Sequence, residues 1–304
     1  MKHIKGKTVL LTGAASGIGE ALAIALANQG CHLYLVDVNE PGLEQLRIRL
    51  AAVPGIRVWS DLCDLNDSSA TGLMVERAIK TVSAVDVLIN NAGIAWYGQT
   101  QLMSDAQFDR LMRINLLAPI QITQLLLPHF LKRPESHIVN MCSISGLVAG
   151  GRFAAYHTSK FGLIGYTEAI RAEFGRHDIG VSAICPGPVL TKLYQNASSD
   201  GRGHVPTPPA WICTTAEIVA AKTIRAIQRN QRQVLVSPLA HLLFQLKRFA
   251  PGLIDAVNQF SRNRKKRRAA RLAQINGNTA SGLHVTVEHP ETTSTVPENK
   301  SRAA

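Results

Sequence analysis

Long apolar runs are missing from this chain. No stretch approaches the ~18–20 residues a helix needs to cross a bilayer, so no membrane-spanning helix is expected. Cysteine is scarce. Cys31, Cys63, Cys142, Cys185 and Cys213 are odd in number and widely scattered, and no pair has zinc or redox spacing. A disulfide scaffold and a structural metal site are therefore not expected. No His/Asp/Glu/Cys cluster suggests a catalytic metal, and reduced thiols in the cytoplasm are the simpler reading. No signal peptide is expected at the start of the sequence. Lys2, Lys5 and Lys7 precede the short run Thr8–Leu11, and glycines follow at once. Internal repeats are absent, as are the compositions of disordered, collagenous and coiled-coil chains.

What is present suffices for a core. The 304 residues are 46% hydrophobic and 18% charged, which suits one large domain or two small ones at about 150 residues each. The net charge of +12 is confined. Residues 1–221 hold 18 Lys and Arg against 17 Asp and Glu, whereas residues 222–271 hold 13 against the single acid Asp255. Any argument about anionic partners concerns that late stretch alone.

Short apolar runs alternate with helical patterns. The strand candidates are 8–11, 32–36, 56–59, 86–90, 137–141, 180–184 and 233–236. Several are apolar at nearly every position, as for strands buried on both faces of a parallel sheet. This rhythm reads as a doubly wound α/β domain over 1–237. A basic amphipathic helical extension is expected over 238–271, and a disordered tail over 272–304.

Thr12-Gly13-Ala14-Ala15-Ser16-Gly17-Ile18-Gly19 follows the first strand and opens a helix. Gly13 permits the turn, Gly17 admits a pyrophosphate, Gly19 allows close helix packing, and the helix amino terminus favours the anion. Gly13, Ser16, Gly17, Ile18 and Gly19 are thus candidate cofactor contacts. Asp37 ends the second strand, 18 residues after Gly19. That is close to the ~20-residue offset of an acid that binds the adenosine ribose hydroxyls. An acid there repels a 2′-phosphate, and Ser16 and Val38 supply no cation, so NAD(H) is expected over NADP(H).

Three residues separate the first two glycines, and here the chain resembles the short-chain dehydrogenase/reductase family, from about residue 5 to 237. The resemblance implies a Rossmann-type sheet flanked by helices and NAD(P)-dependent chemistry at CH–OH groups. It places Asp64 and Leu65 against adenine. Asn91, Ala92 and Gly93, in Asn90-Asn91-Ala92-Gly93, resemble the family's cofactor-side turn. Pro186, Gly187, Val189 and Thr191 would lie along the nicotinamide half. A homodimer or homotetramer is implied too.

Tyr156 and Lys160 stand at i, i+4, on one helix face. A phenol with a pKa near 10 is a poor acid/base at neutral pH. A cation one turn away, with an oxidised nicotinamide, would lower that pKa. Ser143, 13 residues before Tyr156 at a strand end, matches the family's catalytic serine, and Asn115, in a long helical stretch, its asparagine. By resemblance the catalytic set is Asn115, Ser143, Tyr156 and Lys160. Tyr156 would be the general acid/base and Ser143 would polarise the substrate oxygen. Lys160 would also hold the nicotinamide ribose, and Asn115 would orient a water in a proton relay. Ser145 is a decoy two residues away. His157, Cys142 and Cys185 take structural readings.

Residues 94–98 and the loop from about Lys192 to Cys213, with Trp211, are expected to line the substrate pocket, the loop as a lid. Gly151, Phe153 and Ala154 form another wall. Few of these are charged, which suits a small apolar alcohol or ketone: a steroid, retinoid, long-chain alcohol or acyl chain. The rival is a non-catalytic dinucleotide-binding regulator, but it leaves the proton donor unexplained. In the extension, Leu239, Leu242, Leu243 and Leu246, then Leu253, Ile254, Val257 and Phe260, form apolar stripes before the block Arg262–Arg268. Packing on its own domain or a dimer mate, and contact with an anionic membrane, are the two main readings. Nucleic acid is disfavoured, because no recognition motif accompanies the basic block.

Overall fold

The computed structural model describes residues 1–253 and 256, apart from 83, 192, 194–196, 201–204 and 206. Seven strands form one parallel sheet: β1 (Thr8–Thr12), β2 (His32–Asp37), β3 (Val58–Leu62), β4 (Val87–Asn90), β6 (Ser136–Met141), β7 (Ile179–Cys185) and β9 (Gln233–Leu235). Their order is β3-β2-β1-β4-β6-β7-β9. Two-residue strands β5 (Trp96–Tyr97) and β8 (Ser198–Ser199) pair separately. The helices are α1 (Gly17–Asn28), α2 (Glu40–Ala51), α3 (Ser68–Val82), α4 (Asp105–Met112), α5 (Ala118–Phe130), α6 (Ala154–Phe174), α7 (Ala216–Arg229) and α8 (Pro238–Phe249).

Alternation along the strands builds two cores. Val9, Leu11, Leu33 and Leu35 pack against α1, α2 and α7 through Leu22, Leu46 and Ile224. Leu10, Tyr34 and Val36 face α3, α5 and α6 through Met74, Leu126 and Ile170. Both sheet faces are therefore covered, and the strands read as continuous apolar runs. The result is the doubly wound Rossmann-type architecture.

Strand β3 lies two to three residues later than the apolar run 56–59 suggests. Its ladder with β2 extends from Leu33↔Val58 to Asp37↔Leu62. As an edge strand it needs no apolar outer face, and Asp61 is held by the Tyr34 hydroxyl and by Arg77. In the extension, Ser237 caps α8 by accepting from the Ala240 amide at 3.1 Å. α8 belongs to the compact unit Met1–Ile254. Ile254, Val257, Phe260, the basic block and the tail from 272 lie outside the described residues. No described helix is long and apolar enough to cross a membrane.

Candidate active site

Strand order reverses between β1 and β4, and ligands of such sheets bind at the carboxyl ends of the strands there. The turn after β1 requires glycine at two points. Gly13 has φ +66°, and a Cβ on it would stand 2.7 Å from the Ala92 Cα. A Cβ on Gly19 would meet the Gly13 carbonyl oxygen at 1.8 Å. These two glycines thus serve the packing of the turn on β4 and α1. Thr12 and Asn91 fasten it. Thr12 Oγ1 accepts from the Asn91 and Ala92 amides at 3.0 and 3.1 Å. Asn91 Nδ2 donates to the carbonyls of Thr12 and Gly13 at 3.1 and 3.0 Å. Ser16 is the N-cap of α1, yet its side chain makes no capping bond, so no capping side chain covers the first-turn amides.

A cavity of about 510 Å³ lies over this turn, lined by Gly13, Ser16, Gly17, Ile18, Asp37, Asp64, Leu65, Asn91, Ala92, Gly93 and Thr191. An uncapped helix amino terminus beside an acid suits a nicotinamide dinucleotide, with anion at one point and ribose at another. The Asp37 carboxylate is already oriented. Oδ2 accepts from the Ala15 amide at 2.8 Å, and Oδ1 from the Val38 and Asn39 amides at 2.8 and 2.9 Å. Three of its roughly four acceptor sites are used, leaving room for a hydroxyl donor. Arg110 is the only cation among the described lining residues. The sequence does not single it out, because no local motif marks it.

A second cavity of about 190 Å³ shares Ile18, Asn91, Gly93 and Leu193 with the first. It brings Ser143, Tyr156 and Lys160 together with Pro186, Gly187 and Val189. Lys160 is only 4% exposed. Its Nζ donates to the Met141 carbonyl at 2.9 Å and lies 5.8 Å from the centre of the Tyr156 ring. Burial pushes the pKa of this ammonium below the ordinary lysine value. Ser143 stands two residues beyond β6 rather than in it. The chain bends there because the Ile144 amide bonds the Pro186 carbonyl at 2.8 Å. Ser143 caps the resulting turn, its Oγ accepting from the Ser145 amide at 3.1 Å. Ser145 lines the same cavity.

Asn115 occupies a π-helical turn, Arg113–Leu117, between α4 and α5, not a continuous α-helix. Such wide turns are frequent at functional sites. Its Oδ1 accepts from the Ile94 amide at 2.8 Å, and its Nδ2 donates to the Ile94 carbonyl at 2.9 Å and to Ser159 Oγ at 3.2 Å. The side chain thus pins the segment after β4, beside Gly93. His157 has a definite structural task. Its Nδ1 donates to the Ser145 carbonyl at 2.7 Å, and its Nε2 accepts from the Gly150 amide at 2.9 Å. It therefore staples the loop that carries Ser143 to α6.

Phe153 lines the second cavity and packs on Tyr97, centroids 4.9 Å apart, and on Tyr156 at 6.2 Å. Trp96 departs from its expected place on the wall. It is buried against Leu111 and Ala155. Trp211 is 86% exposed and lines neither cavity. Lys192, Gly201, Gly203 and Pro206 of the expected lid fall outside the described residues.

The family model described as short chain dehydrogenase matches residues 7–202. The chain belongs to this family. Dehydrogenase/reductase SDR family member 7B of Bos taurus is 32% identical over 275 residues, covering 88% of this chain and 84% of that protein. A short chain dehydrogenase/reductase from Burkholderia phymatum, solved in complex with NAD, is similar with a TM-score of 0.76. It is 24% identical, and the match covers 83% of this chain and 96% of that one. A short-chain dehydrogenase from Sphingobium yanoikuyae, in complex with NADPH, matches with a TM-score of 0.70 and 24% identity. That match covers 86% of this chain and 95% of the other. The protein is an NAD(P)-dependent oxidoreductase.

Proposed function

We propose that this dehydrogenase exchanges a hydride between NAD(H) and an apolar alcohol or ketone, with Tyr156 as general acid and base. The observation that carries the reading is the meeting of Ser143, Tyr156 and Lys160 on a cavity that shares walls with the nucleotide cleft. When bound, the nicotinamide supplies or accepts the hydride. The Tyr156 hydroxyl exchanges the proton with the substrate oxygen. Ser143 donates a hydrogen bond to that oxygen and stabilises charge as it develops. Lys160, held on the Met141 carbonyl, favours the phenolate by its charge. Asn115 keeps the Ile94 segment beside Lys160.

Ala95, Met141, Ile144, Phe153, Val189 and Leu193 give the smaller cavity apolar walls, and Lys160 is its only charged residue among those described. Walls of this kind suit a steroid-, retinoid- or lipid-like carbonyl better than a sugar phosphate. The test is a panel of apolar alcohols and ketones with NAD⁺ and NADH, read at the nicotinamide absorbance band. On the best substrate, Tyr156→Phe lowers turnover by roughly 10²–10⁴, with NADH affinity within a few-fold. Near-normal turnover in that variant refutes the role.

A further inference from the structure

Helix α8 presents apolar side chains to solvent on the side away from the domain. Leu242 and Phe249 are 63% and 77% exposed, and Leu253, just past the helix, is 56% exposed. Leu242 and Phe249 are two turns apart on one face. The other side of α8 is engaged. Ala240 is buried, and Lys247 Nζ donates to the Leu147 carbonyl at 2.6 Å while standing 4.5 Å from the Phe161 ring centre. The helix is therefore fixed to the domain and still carries an uncovered apolar stripe.

The charge indicates what covers that stripe. Residues 222–253 hold six Lys and Arg and no Asp or Glu, while residues 1–221 are nearly neutral. Arg248 is exposed next to Phe249, its guanidinium 5.7 Å from that ring. A second copy of this chain would set the same cationic segment against itself. An anionic headgroup layer neutralises the segment, and the acyl boundary beneath it takes up large apolar side chains. We infer that α8 seats the protein on an anionic phospholipid surface, with Leu242, Phe249 and Leu253 entering the acyl boundary. Farther along, the sequence carries the basic block Arg264–Arg268. Lys247 joins this helix to the loop that carries Ser143. A loop that walls the smaller cavity is thus tied to the membrane-facing element. This goes beyond the hydride-transfer reading and does not depend on it.

The test is co-sedimentation of the full chain with phosphatidylcholine vesicles, with and without phosphatidylglycerol, at low and high salt. The protein is expected to pellet with the anionic vesicles at low salt, to be released at high salt, and to stay in solution with phosphatidylcholine alone. Leu242→Gln with Phe249→Gln is expected to lower binding about tenfold or more, with NADH binding retained as evidence of an intact fold. Changing Arg264, Lys265, Lys266, Arg267 and Arg268 to Gln is expected to abolish the preference for anionic lipid. Absence of pelleting with anionic vesicles at low salt overturns the proposal. So does binding that ignores Leu242 and Phe249, a solution dimer that the double variant splits, or binding to duplex DNA without binding to vesicles.

Discussion

Asp37→Asn is the sharpest probe of cofactor choice. A unit charge 4 Å from another at an effective dielectric near 20 feels about 4 kcal/mol, and a 2′-phosphate carries roughly −1.5 to −2. Screening at the partly exposed rim lowers this, so a change of about 10–100-fold in the NADH/NADPH affinity ratio is expected, towards NADPH. The variant has a second effect that must be separated. Asp37 accepts from Ala15 through Oδ2 and from Val38 and Asn39 through Oδ1. An amide has one oxygen, so its NH₂ faces one of these donors, and a lost hydrogen bond to a charged acceptor costs about 1.5–3 kcal/mol. Ala15 lies in the glycine turn itself, so both cofactors bind more weakly. Only the ratio reports on repulsion. Fluorescence titration of both proteins with NADH and NADPH, at two salt concentrations, measures it. A ratio unchanged by the substitution, or a wild-type protein that already prefers NADPH, refutes the assignment of Asp37.

Two further outcomes are expected. His157→Phe removes the bonds to Ser145 and Gly150. It should cost about 1–3 kcal/mol in stability and lower kcat with unchanged NADH affinity; an equal loss of cofactor binding would mean general unfolding instead. His137 is buried, its Nε2 donating to Ser182 Oγ at 2.9 Å, and burial lowers its pKa from 6.5 to about 3. A pKa depressed in the folded state gives stability that is full above the unfolded value and is lost as pH falls towards about 3. The loss is about 2 kcal/mol by pH 5. His137→Asn should flatten that slope in denaturant titrations between pH 7 and 5, and an unaltered slope would place the acid sensitivity elsewhere.

Local patterns carried much of this protein. Strand runs buried on both faces, the glycine turn, Asp37 at a strand end and the i, i+4 pair of Tyr156 and Lys160 follow from periodicity and short spacing, which a linear sequence displays directly. Sheet order brings Ser143, Tyr156 and residues 186–189 to one cavity, and the alternation of helix and strand made the doubly wound class, though not the order, expected. Other features had no local signature. Edge strand β3 extends through Ser60 and Asp61 because its outer face needs no apolar residues. Asn115 lies in a π turn, and its partners Ile94 and Ser159 come from other parts of the chain. His157 was expected to be structural, but its partners, the Ser145 carbonyl and the Gly150 amide, are named only by the fold. Leu242 and Lys247 both lie on an amphipathic pattern, and nothing in that pattern says which side meets the domain. Tertiary structure decides it, because the groups that α8 meets, Leu147 and Phe161, lie some 100 and 86 residues away in the chain.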